Sequence, residues 1–499
     1  MFTTSEAYSL PVNSHTTMSA TADRPHLLVY PFSSPGHIIP LLDLTERLIS
    51  RGLSVTVLVT PPNLRLLQPL LSRHPTTNID ALVVPAPEPA SSVMQHRLIH
   101  RFRAMQEHHS PAIISWFASR RNPPVAIISD FFLGWTLHLA RQLGIPRIVF
   151  SPSAAFALSV DFSLWRDLPM NEHPQQEEDD EFVVTLSDLP NSPSYPWWQL
   201  SFIYRMFIRG DPVLEFHRDA MLANIDSWGA VFNSFAEIER PYLDYMEKRV
   251  LGRGRVWAVG PLLPPPVDGG STKAVAERGG SSSVPVKDVV SWLDACSDLS
   301  VVYICFGSRM VLNGEQTAAL AEALETSGVH FIWCVREDGS NSTGTVAEEE
   351  SGAAVPEGFE DRTARRGLVI KGWAPQVLIL QHRAVGSFVT HCGWNSVLEG
   401  LAAGVVMLTW PMGADQFSDA KLLVDQLGVG IRAHEREDRA PNPAELAQIL
   451  VRSVDGSIPE RARAGELREA AAAAVSRGGS SDKDLDALVE ALKSEKINA

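Results

Sequence analysis

The sequence predicts an α/β protein with two doubly wound parallel sheets, and three observations predict it. From residue 25 to residue 260, short β-branched or aromatic runs alternate with helical stretches. That alternation is the pattern of a parallel sheet carrying helices on both faces. A stretch loaded with Pro, Gly and Ser, PLLPPPVDGGSTKAVAERGGSSSVPV over 261–286, then breaks the pattern and reads as a linker. Beyond it the alternation restarts at VVYICFG. A length of 499 residues is enough for two or three domains.

In order, residues 1–24 are rich in Ser and Thr and hold no apolar core of a secretory signal. Arg24 is their single arginine and Glu6 and Asp23 are present, which is not the composition of a transit peptide. A disordered extension is expected. The N-terminal domain, 25–260, opens with the strand HLLVYPF and the helix GHIIPLLDLTERLISRG. The strand SVTVLVT, the helix NLRLLQPLLSRH and the strand ALVVPAP follow. A long helix over 91–119 leads to the strand VAIISD, the helix LGWTLHLARQLG and the strand PRIVFSP. AVFNSF, the helix ERPYLDYMEKR and the strand VWAVG close this half. The C-terminal domain, 287–470, runs from VVYICFG through the stretch 373–416 to the helix NPAELAQILVRSVDG. Residues 471–499 read as C-terminal helices, ELREAAAAAVSR ending the first and DKDLDALVEALKSE forming the second.

Composition is that of an ordinary globular protein, 45% apolar and 20% charged, so a sizeable core is within reach. A formal net charge of −15 argues against nucleic acid or an anionic membrane as the main partner. No run reaches the ~20 apolar residues of a membrane span. Cys296, Cys305, Cys334 and Cys392 form no C-x-x-C pair, and several lie in apolar strand-like runs where Cys behaves as a small hydrophobe. A reducing, cytoplasmic compartment is the simpler expectation. The Asn341 sequon reads as a chance match and the acidic run 177–181 as a solvated loop.

The most informative stretch is 373–416, WAPQVLILQHRAVGSFVTHCGWNSVLEGLAAGVVMLTWPMGADQ. APQVLILQH has helical spacing and VGSFVTH reads as a buried strand. After His391 a glycine turn leads into Trp394, Asn395 and Ser396, which open an apolar helix. The first N–H groups of such a helix have no internal partner, and its dipole favours negative charge there. Asp415 and Gln416 follow the strand VMLTWP at its carboxyl end, the edge where ligands sit in an open α/β sheet.

This stretch resembles, without a gap, the signature box of the plant secondary-product UDP-glycosyltransferases, from Trp-Ala-Pro-Gln through His-Cys-Gly-Trp-Asn-Ser to Asp-Gln. One position departs: Val406 stands where the family commonly has proline, which touches strand entry and no ligand group. The resemblance implies the GT-B arrangement, two Rossmann-like domains facing a cleft, with the donor on the C-terminal domain, the acceptor on the N-terminal one, and the last helix crossing back onto the latter. It implies that Trp373 stacks on uracil, that Ala374 and Gln376 bind base and ribose, and that Glu399 accepts from the ribose hydroxyls. His391, Asn395, Ser396 and Ser308, the last in the loop FGS, would gather at the phosphates. Trp394, Asp415 and Gln416 would bind the sugar. Family members using galactose often carry His at the last box position, so Gln416 points to UDP-glucose and leaves xylose and rhamnose open. PFSSPGHIIPLLDLTERL and LTWPMGADQFSDAKLLVDQLGVGIR look most like the branch acting on flavonols and phenolic acids.

The remaining candidates lie in the N-terminal half. His37 follows a strand and the turn SSPG and opens a helix, where the dipole favours the neutral imidazole of a general base. Alternatively it merely tops that helix. Asp130 ends VAIISD at the same sheet edge and either caps the next turn or fixes the tautomer of His37. Together they suggest an inverting displacement in which His37 deprotonates an acceptor hydroxyl, with no enzymic nucleophile; the resemblance assigns this pair the same role. No metal is expected, since helix N–H groups would hold the leaving diphosphate. The aromatic stretch SYPWWQLSFIYRMF, 194–207, walls an acceptor or belongs to the core, and Ser151 and Ser153 stand near the same edge. Rivals are another donor sugar, a terpenoid or hormone acceptor, and a catalytically silent UDP-sugar-binding protein. A dinucleotide oxidoreductase would want G-x-G-x-x-G after the first strand, where SSPGH stands instead. D-x-D occurs only at Asp482, Asp484 and Asp486, inside the final helix, and a monomer is expected.

Overall fold

The computed structural model describes residues 8–9, 24–74, 78–87, 96–169, 182–252, 254–264, 282–336, 354–436 and 439–494. The chain divides into two compact units, Met1–Leu262 with Val475–Ala499, and Leu263–Ala474. Both are parallel-sheet α/β units of the doubly wound kind.

In the first unit the strands are β1 (Tyr8–Ser9), β2 (His26–Tyr30), β3 (Ser54–Val59), β4 (Ile79–Val83), β5 (Ala126–Asp130) and β6 (Arg147–Ser151). β7 (Val183–Thr185) and β8 (Ser194–Pro196) form a separate antiparallel pair, and β9 (Gly229–Phe232) and β10 (Val256–Ala258) complete the set. The main sheet has the order β1-β4-β3-β2-β5-β6-β9-β10. The chain winds outward from β2 through β3 to β4, then returns to the middle as β5 and winds the other way. The reversal falls between β2 and β5, which are hydrogen-bonded neighbours.

β2, β5 and β6 are buried at every position, as strands covered on both faces must be. One face, with Leu27, Val29, Val55 and Ile128, packs against Leu41, Leu44 and Leu48 of the helix Pro35–Ser50 and Leu485 and Leu488 of the final helix. The other, with Leu28, Tyr30 and Ile127, meets Phe102, Met105 and Trp116 of the helix Arg97–Ala118. The alternation follows from the two-residue period of a strand.

The second unit holds β11 (Val301–Cys305), β12 (His330–Val335), β13 (Gly367–Lys371), β14 (Val385–Thr390), β15 (Val406–Thr409) and β16 (Gly430–Arg432). Its order is β13-β12-β11-β14-β15-β16, parallel throughout, with the reversal between β11 and β14. Val302, Ile304 and Trp333 pack with Leu320 and Leu450 on one face, and Tyr303, Ile332 and Phe388 pack with Ile379 on the other. Val406, the departure from the family box, begins β15 fully buried.

Several expectations change. Tyr8–Ser9 pairs antiparallel with Val83 and Leu82, so this part of the supposed disordered extension is an edge strand. The rest of 1–23, the acidic run 177–181, the linker core 265–281 and the Asn341 sequon lie outside the described residues. The expected boundary at 470/471 falls inside one helix, Pro459–Val475, because the run of alanines there has nothing to break it. The box helix shortens to Gln376–Leu380, since the residue before Pro375 is steered out of helical backbone. The helix Ala236–Tyr245 kinks at Glu239 (φ −134°, ψ 18°). There the buried Glu239 carboxylate accepts from the N–H groups of Ala155 (3.0 Å) and Phe156 (2.7 Å).

Within the first unit the final helix, Ser480–Lys493, is tied down by its aspartates. Asp484 accepts from the N–H of Ala258 at 2.8 Å, and Arg51 donates to Asp482 and Asp486. The D-x-D pattern is thus spent on packing. The four cysteines are free thiols. No helix among the described residues is long and apolar enough to cross a membrane.

Candidate active site

His37 is the third residue of the helix Pro35–Ser50, which follows the carboxyl end of β2. Asp130 is the last residue of β5. Because β2 and β5 are neighbours, two residues 93 apart in sequence come into contact: Nδ1–H of His37 donates to Oδ2 of Asp130 at 2.8 Å. A carboxylate only accepts, so the contact places the ring proton on Nδ1 and leaves Nε2 with its lone pair. Asp130 is fully buried, whereas the His37 side chain keeps 16% of its exposure. The other carboxylate oxygen, Oδ1, accepts from the N–H of Phe132 at 2.9 Å, so the capping reading of Asp130 holds as well. Phe131 and Phe132 stack on the imidazole with centroids at 5.9 and 4.8 Å, and Phe32 meets it edge-on at 5.4 Å. Three aromatic rings and one carboxylate therefore confine the imidazole to one orientation.

The box residues of the second unit gather at the carboxyl ends of β11, β13, β14 and β15. Gln376 is their hub. Its Nε2 donates to Oγ of Ser396 (3.0 Å) and Oε2 of Glu399 (2.7 Å), joining the helix Gln376–Leu380 to the helix Trp394–Ala403. Oε1 of Gln376 accepts from the hydroxyl of Tyr303, 3.2 Å away on β11. The helix Trp394–Ala403 starts after Gly393, whose carbonyl takes the N–H of Val397, so the N–H groups of 394–396 lie ahead of the helical ladder. Cys392 reaches this start through a left-handed backbone, φ 65°.

His391 sits in a slot formed by two glycines. A Cβ on Gly307 would lie 2.6 Å from its Cε1, and one on Gly393 would lie 2.4 Å from its Nε2. Gly307 also has φ +75°, which an L side chain resists. Burial holds His391 down to about 4, so it is a neutral imidazole near pH 7. Its Nδ1 is buried with no hydrogen-bond partner among the described residues. Ser308 is exposed in the same turn as Gly307. Trp373 is half-buried after β13, while Ala374 and Trp394 are buried at 5% and 3% exposure. The backbone N–H of Met412 donates to Oε1 of Gln416 at 2.8 Å, which closes the loop after β15 and leaves the amide NH₂ of Gln416 as its donor end. Asp415 precedes the short helix Gln416–Lys421, and Asn395 is half-buried in the first turn of Trp394–Ala403.

Two groups of sequence candidates have other work. Oγ of Ser151 donates to the carbonyl of Ser153 at 2.9 Å and serves the turn after β6. In 194–207, Tyr195, Trp197, Leu200, Tyr204 and Phe207 are buried, and Tyr204 donates to the carbonyl of Pro169 at 2.9 Å. These five side chains are core, with Phe202 exposed beside them. Sequence reasoning missed Tyr303, which reads only as an aromatic in a strand, and the pairing of Gly307 with Gly393 about one ring.

Comparison with known proteins agrees with this geometry. A family model described as UDP-glucoronosyl and UDP-glucosyl transferase matches residues 275–438. The flavonol 3-O-glucosyltransferase UGT89B1 of Arabidopsis thaliana is 48% identical over 485 residues, 95% of this chain and 97% of that protein. UDP-glycosyltransferase 89B2 of Stevia rebaudiana is 50% identical over 478 residues, 94% of this chain and 97% of that protein. The crystal structure of Arabidopsis thaliana UGT89C1 complexed with UDP-L-rhamnose superposes with a TM-score of 0.74 at 38% identity, covering 94% of this chain and all of that one. Identity of this extent along nearly the whole chain, with the box geometry intact, places the protein among the plant family 1 UDP-glycosyltransferases, enzymes of the GT-B fold.

Proposed function

We propose that the protein is an inverting O-glycosyltransferase that moves glucose from UDP-glucose to a hydroxyl of a flavonol or related phenolic, with His37 as general base and Asp130 as its partner. The contact between Nδ1 of His37 and Asp130 carries the reading, because it prepares Nε2 to take a proton. In the step, the acceptor O–H gives its proton to Nε2 while its oxygen forms the bond to the anomeric carbon. The bond from that carbon to the β-phosphate oxygen breaks, and its electron pair leaves with UDP. Attack from the face opposite UDP turns an α-linked donor into a β-glycoside. Asp130 stabilises the imidazolium until its proton is lost to solvent.

On the donor side, Trp373 and Ala374 take the base, Gln376 and Glu399 the ribose, and Ser308, His391, Asn395 and Ser396 the diphosphate. Trp394, Asp415 and Gln416 take the sugar. Charge on the departing UDP is met by the N–H groups at the start of Trp394–Ala403, the helix dipole and a neutral His391 donor, which makes the reaction metal-independent in this reading. The enzyme works as a cytoplasmic monomer.

A flavonol acceptor is supported by the 48% identity to a flavonol 3-O-glucosyltransferase. Rhamnose is the second reading, because the 38% identical neighbour was solved with UDP-L-rhamnose. Incubation of a flavonol with UDP-glucose, UDP-rhamnose and UDP-xylose in parallel separates the donors by the mass added. The expected product carries one hexose with a β-anomeric coupling by NMR. Near-wild-type turnover by His37→Ala would remove the base, and an α-linked product would remove inversion.

A further inference from the structure

Arg147 opens β6 and is 1% exposed, among the largest fully buried side chains of the protein. A guanidinium taken out of water loses several kcal/mol unless its N–H groups are met. Here Nε donates to Oγ of Ser129 at 2.8 Å. Nη1 donates to Oδ1 of Asn224 at 2.7 Å and to Oγ of Ser227 at 2.8 Å. Nη2 donates to the backbone carbonyl of Asp130 at 3.1 Å. Asn224, on the helix Pro212–Ile225, passes its own N–H to the carbonyl of Phe131 at 2.9 Å. Oγ of Ser129 also pairs with Oγ1 of Thr136 at 2.7 Å, and Thr136 donates to the carbonyl of Leu133 at 2.6 Å.

These bonds converge on one segment, 129–133. It carries the Asp130 carboxylate and the Phe131 and Phe132 rings stacked on His37. Burial pulls Arg147 down to about 9, and the neighbouring charge that opposes this is Asp130. For stability alone such an ion is a poor choice, since well-packed apolar replacements of buried ion networks are often neutral or better. The cation belongs where a carboxylate must be held in place.

We propose that Arg147 is a positioning residue for glycosyl transfer. It clamps the backbone around Asp130 so that the carboxylate meets Nδ1 of His37, and it sets a positive charge behind that carboxylate. Arg147 touches no substrate and acts through Asp130. The inference rests on the His37–Asp130 reading above, so its test includes His37→Ala as a separate arm.

The experiment measures kcat, both KM values and UDP affinity by calorimetry for Arg147→Met, Arg147→Lys, Asn224→Ala, Asp130→Asn, His37→Ala and the double variants Arg147→Met/Asp130→Asn and Asn224→Ala/Asp130→Asn. Because a 1 Å displacement of a catalytic group lowers rate by about 10²-fold, Arg147→Met is expected to lose about that much kcat while UDP affinity stays within about twofold. Arg147→Lys keeps the charge without the fork and is expected to recover about tenfold of the loss. In the Asp130→Asn background Arg147→Met should subtract less than about threefold, since its route of action is already gone. A folded Arg147→Met enzyme with wild-type kcat overturns the proposal, and so does a loss equally deep in the Asp130→Asn background. Should Arg147→Met fail to fold, Asn224→Ala decides. It leaves the cation in place and is expected to lower kcat about three- to tenfold, with the same coupling to Asp130→Asn. Wild-type kcat in Asn224→Ala overturns the proposal. An active His37→Ala enzyme would instead bring down the base assignment, and this inference with it.

Discussion

Asp130 holds His37 with one carboxylate oxygen and the backbone of Phe132 with the other, at 2.8 and 2.9 Å. The ring of that same Phe132 lies on the imidazole at 4.8 Å and 27°. One turn of chain therefore grips the histidine twice, through its nitrogen and through its face. Capping the turn and holding the imidazole are compatible because a carboxylate has two oxygens to give.

Asp130→Asn should leave the fold intact and damage turnover. An amide can still cap Phe132, but it does not enforce the Nδ1–H tautomer or stabilise the imidazolium. A fall in kcat of about 10²–10⁴-fold is expected, with a melting temperature close to wild type. Steady-state kinetics alongside a thermal melt check it, and unchanged kcat would show that the carboxylate only caps.

Gly307→Ala tests the slot around His391. The new methyl would sit 2.6 Å from Cε1 of the imidazole, at a backbone φ of +75°. The expected result is a loss of roughly 1–3 kcal/mol in stability and a weakened donor site. Calorimetric titration with UDP should show reduced affinity.

Tyr303→Phe removes one hydrogen bond to Gln376 without changing shape, so about 1 kcal/mol is at stake. Gln376 would then be held to Ser396 and Glu399 alone. A rise of about three- to tenfold in donor KM, with kcat nearly constant, is expected for the loss of a bond that acts equally on ground and transition state. A reversed pattern, with kcat lowered and KM unchanged, would count against that role.

Stability should fall with acid in a defined window. Burial holds His109 and His217 down to about 4, against an ordinary 6.5. Below pH 6.5 the unfolded chain takes up protons that the folded chain refuses. The stability gained by keeping these rings neutral is whole above pH 6.5 and drains as pH falls toward 4. Each ring adds a slope of up to about 1.4 kcal/mol per pH unit there. His109 is bonded to Tyr30 and to the carbonyl of Pro85. His217 lies against Trp165, with Nδ1 unpartnered among the described residues. His217→Leu should therefore flatten the decline with little loss at neutral pH, as denaturant titrations at several pH values would read.

Much of this site is legible in the chain because its parts are local. The alternation of apolar runs with helical spacing names the strands, and the polar residues that follow them name the ligand edge. The box residues sit within one continuous stretch, so their order alone carries the resemblance. The hub made by Gln376 is less legible. Tyr303 lies 73 residues away and presents itself in the sequence as one more strand aromatic. The core role of 194–207 was equally open, since aromatic residues suit an acceptor wall and a hydrophobic interior alike.

By itself the sequence determined the strands and helices, the two-part layout and the polar groups available at each strand end, because periodicity and turn chemistry act over a few residues. Only the tertiary structure decided which strand ends are neighbours. By setting β2 beside β5 it joined His37 to Asp130, and by setting β6 against β5 and the helix Pro212–Ile225 it turned Arg147 from a charge in a strand into the clamp behind that pair. The physical reason is that a hydrogen bond forms only within about 3 Å, and distances of that kind between remote residues follow from strand order, which no local pattern encodes.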